Sequence, residues 1–269
     1  YVTKEDVEAG RYKPLSEGVS LQYANREPRF YASVAYNGDV WNLLNSNKNA
    51  GEPQNIQVFY YRGDGNGYTN SMFWLRTGIG VKKFVHPDDM GKGDNNEELI
   101  KKKVEPAIRY AEVLLIYAEA LNELNGQYDI PSWDGNKTHM IKRDINEMKK
   151  GIRPIRIRAG VPDYTQEEYD DPIEFRKKLK RERQIELFAE GHRFFDIRRW
   201  CDAPVEEALP IYGCNIYLTS ENPDSFHTPI EVASLPTMFT TKMWFWPIHH
   251  NIMKRNMWMI QNPGWKDPE

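Results

Sequence analysis

Residues 175–200, FRKKLKRERQIELFAEGHRFFDIRRW, decide the fold class. Phe175, Leu179, Ile185, Phe188, Ala189 and Phe195 recur at roughly helical spacing, with Arg, Lys and Glu filling the other face. The pattern predicts one long amphipathic helix, or two short ones meeting at Gly191, and then a Trp-Cys turn. Asp171 can cap free amides, Pro172 suits the first helical position, and Glu174 stands where a capping box reaches back. Glu190, His192, Arg193, Asp196, Arg198 and Arg199 crowd charge beside aromatic rings, which makes this the first place to look for chemistry.

Residues 106–124, PAIRYAEVLLIYAEALNEL, read as the clearest helix, with Pro106 at its start and Gly126 just past its end. Its expected buried stripe is Ile108, Ala111, Leu114 or Leu115, Ala118 and Leu121, and its alanines let another helix approach closely. A third helix is expected over 138–150, with Pro154 ending or kinking it before IRIRAG. Before residue 106 the chain reads as loops and strands. FYASVAY (30–36) looks strand-like, Asn37-Gly38 is a hairpin turn signal before Val40-Trp41, and IQVFYY (56–61) is the best strand. RGDGNG (62–67) is a turn, and no helix follows it to make a phosphate loop. HPDDMGKGDNNEE (86–98) is a charged loop without the ligand spacing of a calcium-binding hand. After Trp200 Pro, Gly and aromatics recur without helical period. No linker divides the chain, so it reads as a single domain with a loop and strand region (26–98), a helical region (106–200) and an irregular aromatic tail (201–269).

The net charge of −3 and pI of about 6.1 favour no polyanionic partner, so nucleic acid is not expected as one. A mean hydropathy of −0.73 means a modest core, and no apolar run approaches the roughly 18 residues of a membrane helix. Eight Trp and 15 Tyr exceed ordinary core filling and suit surfaces where apolar faces meet polar ligands. The opening YVTKEDVEAG, without a Met, reads as a fragment or a processed product. Cys201 and Cys214 flank a loop with Pro204, Pro210 and Gly213; they are either a disulfide or two free thiols. No Cys/His group has zinc spacing, and the adjacent His249 and His250 of an extended segment point apart, so no metal site and no cofactor are expected.

EPRFYASVAYNGDVW, RYAEVLLIYAEALNELNG, IRIRAGVP, RERQIELFAEGHRFFDIRRW and WPIHHNIMKRN with QNPGW, in this order, resemble the SusD/RagB family of outer-membrane nutrient-binding lipoproteins. They span about 26–265 of this chain and correspond to the C-terminal half of a family member. The resemblance implies a mostly α-helical fold of tetratricopeptide-like helix pairs with irregular loops and a few short strands. It also implies a surface-exposed lipoprotein of the outer membrane in a Bacteroidetes-type bacterium, anchored by a lipid in the missing N-terminal part. The implied activity is capture of glycans without catalysis, for delivery to a SusC-like TonB-dependent transporter.

Binding sugars without catalysis needs aromatic faces that stack on sugar rings and polar groups for the hydroxyls, and loops are where such platforms sit. Tyr36, Trp41, Tyr61, Tyr68 and Trp74 are the expected stacking residues, with Asn37 and Asp39 as polar contacts; one of Tyr60 and Tyr61 belongs to the core by period-2 alternation. The acids Glu186, Glu190 and Asp196 have an alternative reading as the source of a glycoside hydrolase's paired acids. Spacing favours structural ion pairs, Glu190 with Arg193 and His192 with Asp196, over catalysis. A third reading is a helical-repeat scaffold whose ligand is protein.

Overall fold

The computed structural model describes residues 4–10, 19–43, 54–69, 74–89, 101–104, 106–256 and 258–266. The first part carries α1 (Lys4–Glu8), α2 (Pro28–Ser33), β1 (Val34–Ala35), β2 (Asp39–Leu43), β3 (Gln54–Val58) and β4 (Gly80–Val81). The helical part follows with α3 (Tyr110–Asn122), the hairpin β5 (Tyr128–Pro131) and β6 (Thr138–Ile141), α4 (Ile145–Arg158), α5 (Gln166–Asp170), α6 (Pro172–Glu186) and α7 (His192–Arg199). The tail holds α8 (Ala203–Glu206), β7 (Tyr212–Gly213), α9 (Pro223–Phe226), β8 (Ile230–Glu231) and α10 (His250–Arg255). Strands pair antiparallel as β1 with β4, β2 with β3, β5 with β6 and β7 with β8. The fold is mostly helical with short two-stranded sheets, as the family resemblance implies.

The main core lies between α3, α4, α5 and α6. Leu115, Ala118, Met148, Ile152, Tyr169, Phe175 and Leu179 are fully buried there. α3 and α4 cross closely because Gly151 has no side chain: a Cβ there would stand 2.6 Å from the Leu114 carbonyl oxygen and 2.9 Å from the Ala118 Cβ. A second core joins Ala35, Tyr60, Tyr61, Cys214 and Phe226, and so ties the first part of the chain to the tail.

Residues 175–200 form two helices, one of the two predicted forms. Asp171 accepts from the amides of Ile173 (2.8 Å) and Glu174 (3.1 Å) and Pro172 opens α6. Ala189 and Gly191 both have positive φ in the turn before α7. The faces differ from the expected ones: Phe195 is exposed, while the inward side of α6 carries Glu182, Arg183 and Glu186, all buried. Periodicity of apolar residues cannot report a face that is charged and paired. Glu182 accepts from Arg29 (2.6 Å) on α2 and Arg156 (2.6 Å) on α4. Glu186 accepts from Arg29 (3.1 Å), from Arg109 (3.0 Å) and from Arg158 (2.5 Å). Lys83 donates to the carbonyls of Glu186 (3.1 Å) and Phe188 (3.0 Å), closing the C-terminus of α6.

Four further expectations are corrected. FYASVAY begins inside α2, because Pro28 at the first helical position starts the turn and Arg29 ties it to α6. Asn37-Gly38 does turn the chain, with the Asp39 amide on the Tyr36 carbonyl (3.0 Å), but it joins no hairpin: β1 pairs with β4, and β2 with β3. The helix predicted from Pro106 starts at Tyr110, because Arg109 sits at its cap with its guanidinium on Glu186 and Glu190, and Ile108 is left exposed. Residues 138–141 belong to the β5–β6 hairpin, whose tip Asp134 and Ser132 brace, and α4 starts only after Asp144 caps it. α4 then runs through Pro154 to Arg158. Pro154 and Lys150 face solvent, where water can satisfy the Lys150 carbonyl, while Met148, Ile152 and Ile155 hold the helix onto α3.

Two outcomes follow in urea denaturation. Glu186→Gln takes a carboxylate from Arg29, Arg109 and Arg158, of which Arg29 keeps Glu27 and Glu182 and Arg109 keeps Glu190, and is expected to cost about 1–3 kcal/mol, whereas the exposed Glu174→Gln changes stability by less than about 0.5 kcal/mol. Pro154→Ala restores one helical hydrogen bond at an exposed position and is expected to stabilise by about 1–2 kcal/mol. A destabilised Pro154→Ala variant contradicts the account of α4.

Candidate binding site

The loop after β3 folds back on itself because Gly67 lacks a side chain; a Cβ there would lie 1.6 Å from the Tyr61 carbonyl oxygen. Its backbone closes through Asp64 to Tyr61 (3.1 Å), Gly67 to Asp64 (3.0 Å) and Gly63 to Tyr68 (3.4 Å), and Arg62 anchors it to the Leu218 carbonyl (2.8 Å). The tail segment 213–218 is fixed in turn. The Cys214 amide donates to Thr77 (2.9 Å), the Asn215 amide to Phe226 (2.7 Å), and a Cβ on Gly213 would meet the Thr77 backbone at 2.7 Å.

These contacts bring three rings together. Tyr68 stands edge-on to Trp74, with centroids 4.9 Å apart, and to Tyr217, at 5.1 Å. Tyr68 and Trp74 are half-buried and Tyr217 is 52% exposed. The same loop carries Arg62 and Asn66 in solvent and Asp64 half-buried. A partly exposed aromatic cluster with polar side chains on its own loop can stack on an apolar ring face and bond the groups around it.

Of the expected residues, the structure joins Tyr68 and Trp74 and adds Tyr217, which sequence reasoning misses. Tyr217 lies in an aperiodic tail, and contact with a loop some 150 residues upstream leaves no local pattern. Trp41 packs on the second core and lines a separate cavity of about 250 Å³ with Tyr31, Lys82 and Val85. Its buried indole N–H has no partner among the described residues. Tyr36, Tyr61, Asn37 and Asp39 are buried, which corrects their expected role as ligand contacts. Tyr36 packs against Tyr23 and Phe30, and Tyr61 against Phe226. Asn37 Oδ1 accepts from the Tyr60 amide (2.7 Å), so the polar residue at the turn serves a buried backbone group. Asp39 is paired with Lys82; burial pushes its carboxyl above the usual range although Lys82 opposes the shift. Tyr60 and Tyr61 are both core, because the strand ends at Val58 and alternation stops there. Burial pushes the Tyr60 hydroxyl up to about 12.

The charged cluster is bonded chiefly between elements, with Asp196–Arg199 a pair along α7. Glu190 accepts from Arg109 (2.7 Å) and Lys83, not Arg193. Arg193 pairs with Glu206 (2.8 Å), and His192 lies 3.6 Å from Glu112, not on Asp196. Asp196 accepts from Arg183 (2.7 Å) and Arg199 (2.9 Å). Burial alone would raise Glu186 and Glu190, but Arg158, Arg109 and Arg29 on the first, and Arg109 and Lys83 on the second, hold both below the usual range. Cys201 is exposed and Cys214 is buried at 3.7 Å from the Tyr23 hydroxyl; both are free thiols. Of the charged loop 86–98, residues 90–98 lie outside the described residues. Asp89 accepts from Lys103 (2.6 Å) and from the amides of His86 (2.9 Å) and Lys101 (2.8 Å), and the Lys103 bond leads in holding its carboxyl down at about 2. Among the described residues no helix is long and apolar enough to cross a membrane.

The family model described as the SusD family matches residues 7–265. The chain belongs to the SusD family. Solved structures agree: BT4246 is 26% identical with a TM-score of 0.75 over 94% of this chain. A SusD-like protein, BF3747, from Bacteroides fragilis is also 26% identical, with a TM-score of 0.63 over 90% of this chain. A SusD-like carbohydrate-binding protein, BF0978, from the same species shares the fold at 24% identity and a TM-score of 0.57 over 88% of this chain. The chain spans only 40% of BT4246, 40% of BF3747 and 42% of BF0978. No curated protein matches it.

Proposed function

We propose that this SusD-family chain is one domain, the C-terminal portion of a non-catalytic surface protein that captures oligo- or polysaccharide. It delivers that glycan to a SusC-like TonB-dependent transporter, and a lipid on the missing N-terminal part anchors it to the outer membrane. The observation that carries the glycan reading is the cluster of Tyr68, Trp74 and Tyr217, brought together by glycine-dependent loop packing and flanked by Arg62, Asp64 and Asn66. The description of one similar structure as a SusD-like carbohydrate-binding protein supports the same ligand class. Trp41, at its own cavity, is a second point of contact.

A glycoside hydrolase needs one carboxyl raised to act as acid. In the acidic cluster Glu186 and Glu190 are instead saturated by cations and held low, which argues against this cluster as the acid of a hydrolase.

Affinity electrophoresis and calorimetry against a polysaccharide panel test this reading. Trp74→Ala and Tyr217→Ala are each expected to weaken the bound glycan about tenfold or more, while Trp133→Ala, on the exposed hairpin tip, leaves affinity unchanged. Unchanged affinity in both ring variants, or steady release of product, sinks the proposal.

A further inference from the structure

Six cations lie along α6, and five of them have a carboxylate. Arg176 pairs with Glu123, Lys177 with Glu174 (2.6 Å), Lys178 with Glu168 (2.7 Å), Lys180 with Asp202 (2.7 Å) and Arg183 with Asp196 (2.7 Å). Arg181 has none among the described residues. Its guanidinium donates instead to the side-chain oxygen of Gln184, at 3.3 Å.

Arg181 lines a cleft of about 260 Å³ between α6 and the segment 26–34. Phe30, Val34, Ile185 and Phe188, all half-buried, make its apolar part. Three guanidiniums meet one carboxylate in the lining. That carboxylate, Glu27, is held through both oxygens by Arg29 (2.9 Å each). Arg29 is matched again by Glu182 and Glu186 on the inward side of α6, so it belongs to the structural network. Arg26 and Arg181 are the exposed cations of the cleft. Arg26 is set in place by two bonds to the Gln22 carbonyl (2.9 and 2.7 Å) and lies 5.9 Å from the centre of the Phe30 ring.

The cleft thus combines surplus positive charge with apolar walls, and each property selects a ligand feature. A guanidinium is a planar fork that matches an oxyanion such as carboxylate. Aromatic walls suit the apolar face of a ring. The volume lies below the roughly 300–1,000 Å³ of sites for drug-sized ligands, which leaves room for one ring and not for a chain. The Tyr68 cluster has no such surplus, because its loop sets Asp64 against Arg62.

We infer that the cleft between α2 and α6 is a second subsite, specific for an acidic sugar. One ring lies against Phe30 and Phe188, and its carboxylate or sulfate sits between Arg26 and Arg181. The inference rests on the glycan reading of the chain but on residues separate from the Tyr68 cluster.

Calorimetry with three oligosaccharides of equal length at fixed ionic strength tests it: an oligogalacturonate, a sulfated galactan and a neutral galactan. The first reads carboxylate and the second sulfate. At least one acidic probe is expected to bind about tenfold or more tighter than the neutral one, with Arg181→Gln removing that preference. Arg181→Lys, which keeps the charge without the fork, restores part of it. Arg153→Gln removes an exposed cation from α4 and leaves the preference intact. Arg181→Gln also keeps the native urea midpoint, since it gives up no carboxylate partner. No preference for either acidic probe overturns the inference, as does a preference that survives Arg181→Gln. Displacement by inorganic sulfate at the concentration of the probe overturns it too, because the cleft would then hold any anion. Neutral glycan bound through Trp74 and Tyr217 without an acidic preference leaves the proposed function standing and this subsite refuted. An acidic preference that needs Arg181 but ignores Trp74→Ala and Tyr217→Ala keeps the subsite and removes the Tyr68 cluster.

Discussion

Everything in this fold leans on the buried carboxylates of α6. Glu182 and Glu186 lie a helical turn apart on the inward side, and four arginines converge on them from α2, from the residue before α3 and from the end of α4. Removing such charges from water costs several kcal/mol each, and only a full set of partners repays that cost. No single helix can supply the set, so the network forms when α2, α3, α4 and α6 are all in place and fixes their register. Glu190 extends it to Lys83, and Lys83 ties the β4 region to the end of α6.

The same network explains what is legible in the sequence. Local signals hold: Asp171-Pro172 begins α6, Gly191 divides the helical stretch, and Ala111, Ala118 and Leu121 are buried as their period requires. Expectations fail where distant partners set the outcome. Arg29 pulls an apparently β-prone stretch into α2, Arg109 delays the start of α3, and packing against α3 carries α4 through Pro154. The charged residues along α6 and α7 form ion pairs, as their types suggest, but chiefly with partners on other elements that helical spacing cannot reveal. The family resemblance, resting on short motifs in a fixed order, is legible outright.

The binding site is only half legible, for the same reason. Aromatic residues in loops mark a class of surface, yet the sequence cannot say which of them the fold spends on its own core. Asn37 and Asp39 look like ligand contacts beside a turn, and the structure uses one for a backbone amide and the other for Lys82. Tyr68 and Trp74 form a group with Tyr217 only because Gly67 and Gly213 let two distant segments approach at backbone distance. The charged network fixes the helices, while the aromatic cluster leaves its rings partly open to solvent.

The most direct test of the account is the pH dependence of the stability gap between the native chain and Glu186→Gln. Glu186 is held below its ordinary value of 4.5 in the folded chain, so its contribution is fully present above that value and is lost as the pH falls through the folded one. Urea denaturation from pH 7 down to pH 3 should therefore give a gap that is constant above about pH 5 and closes as the medium is acidified further. A gap that stays constant to pH 3 would mean that Glu186 acts through its shape and not its charge, and would contradict the central role of the buried network.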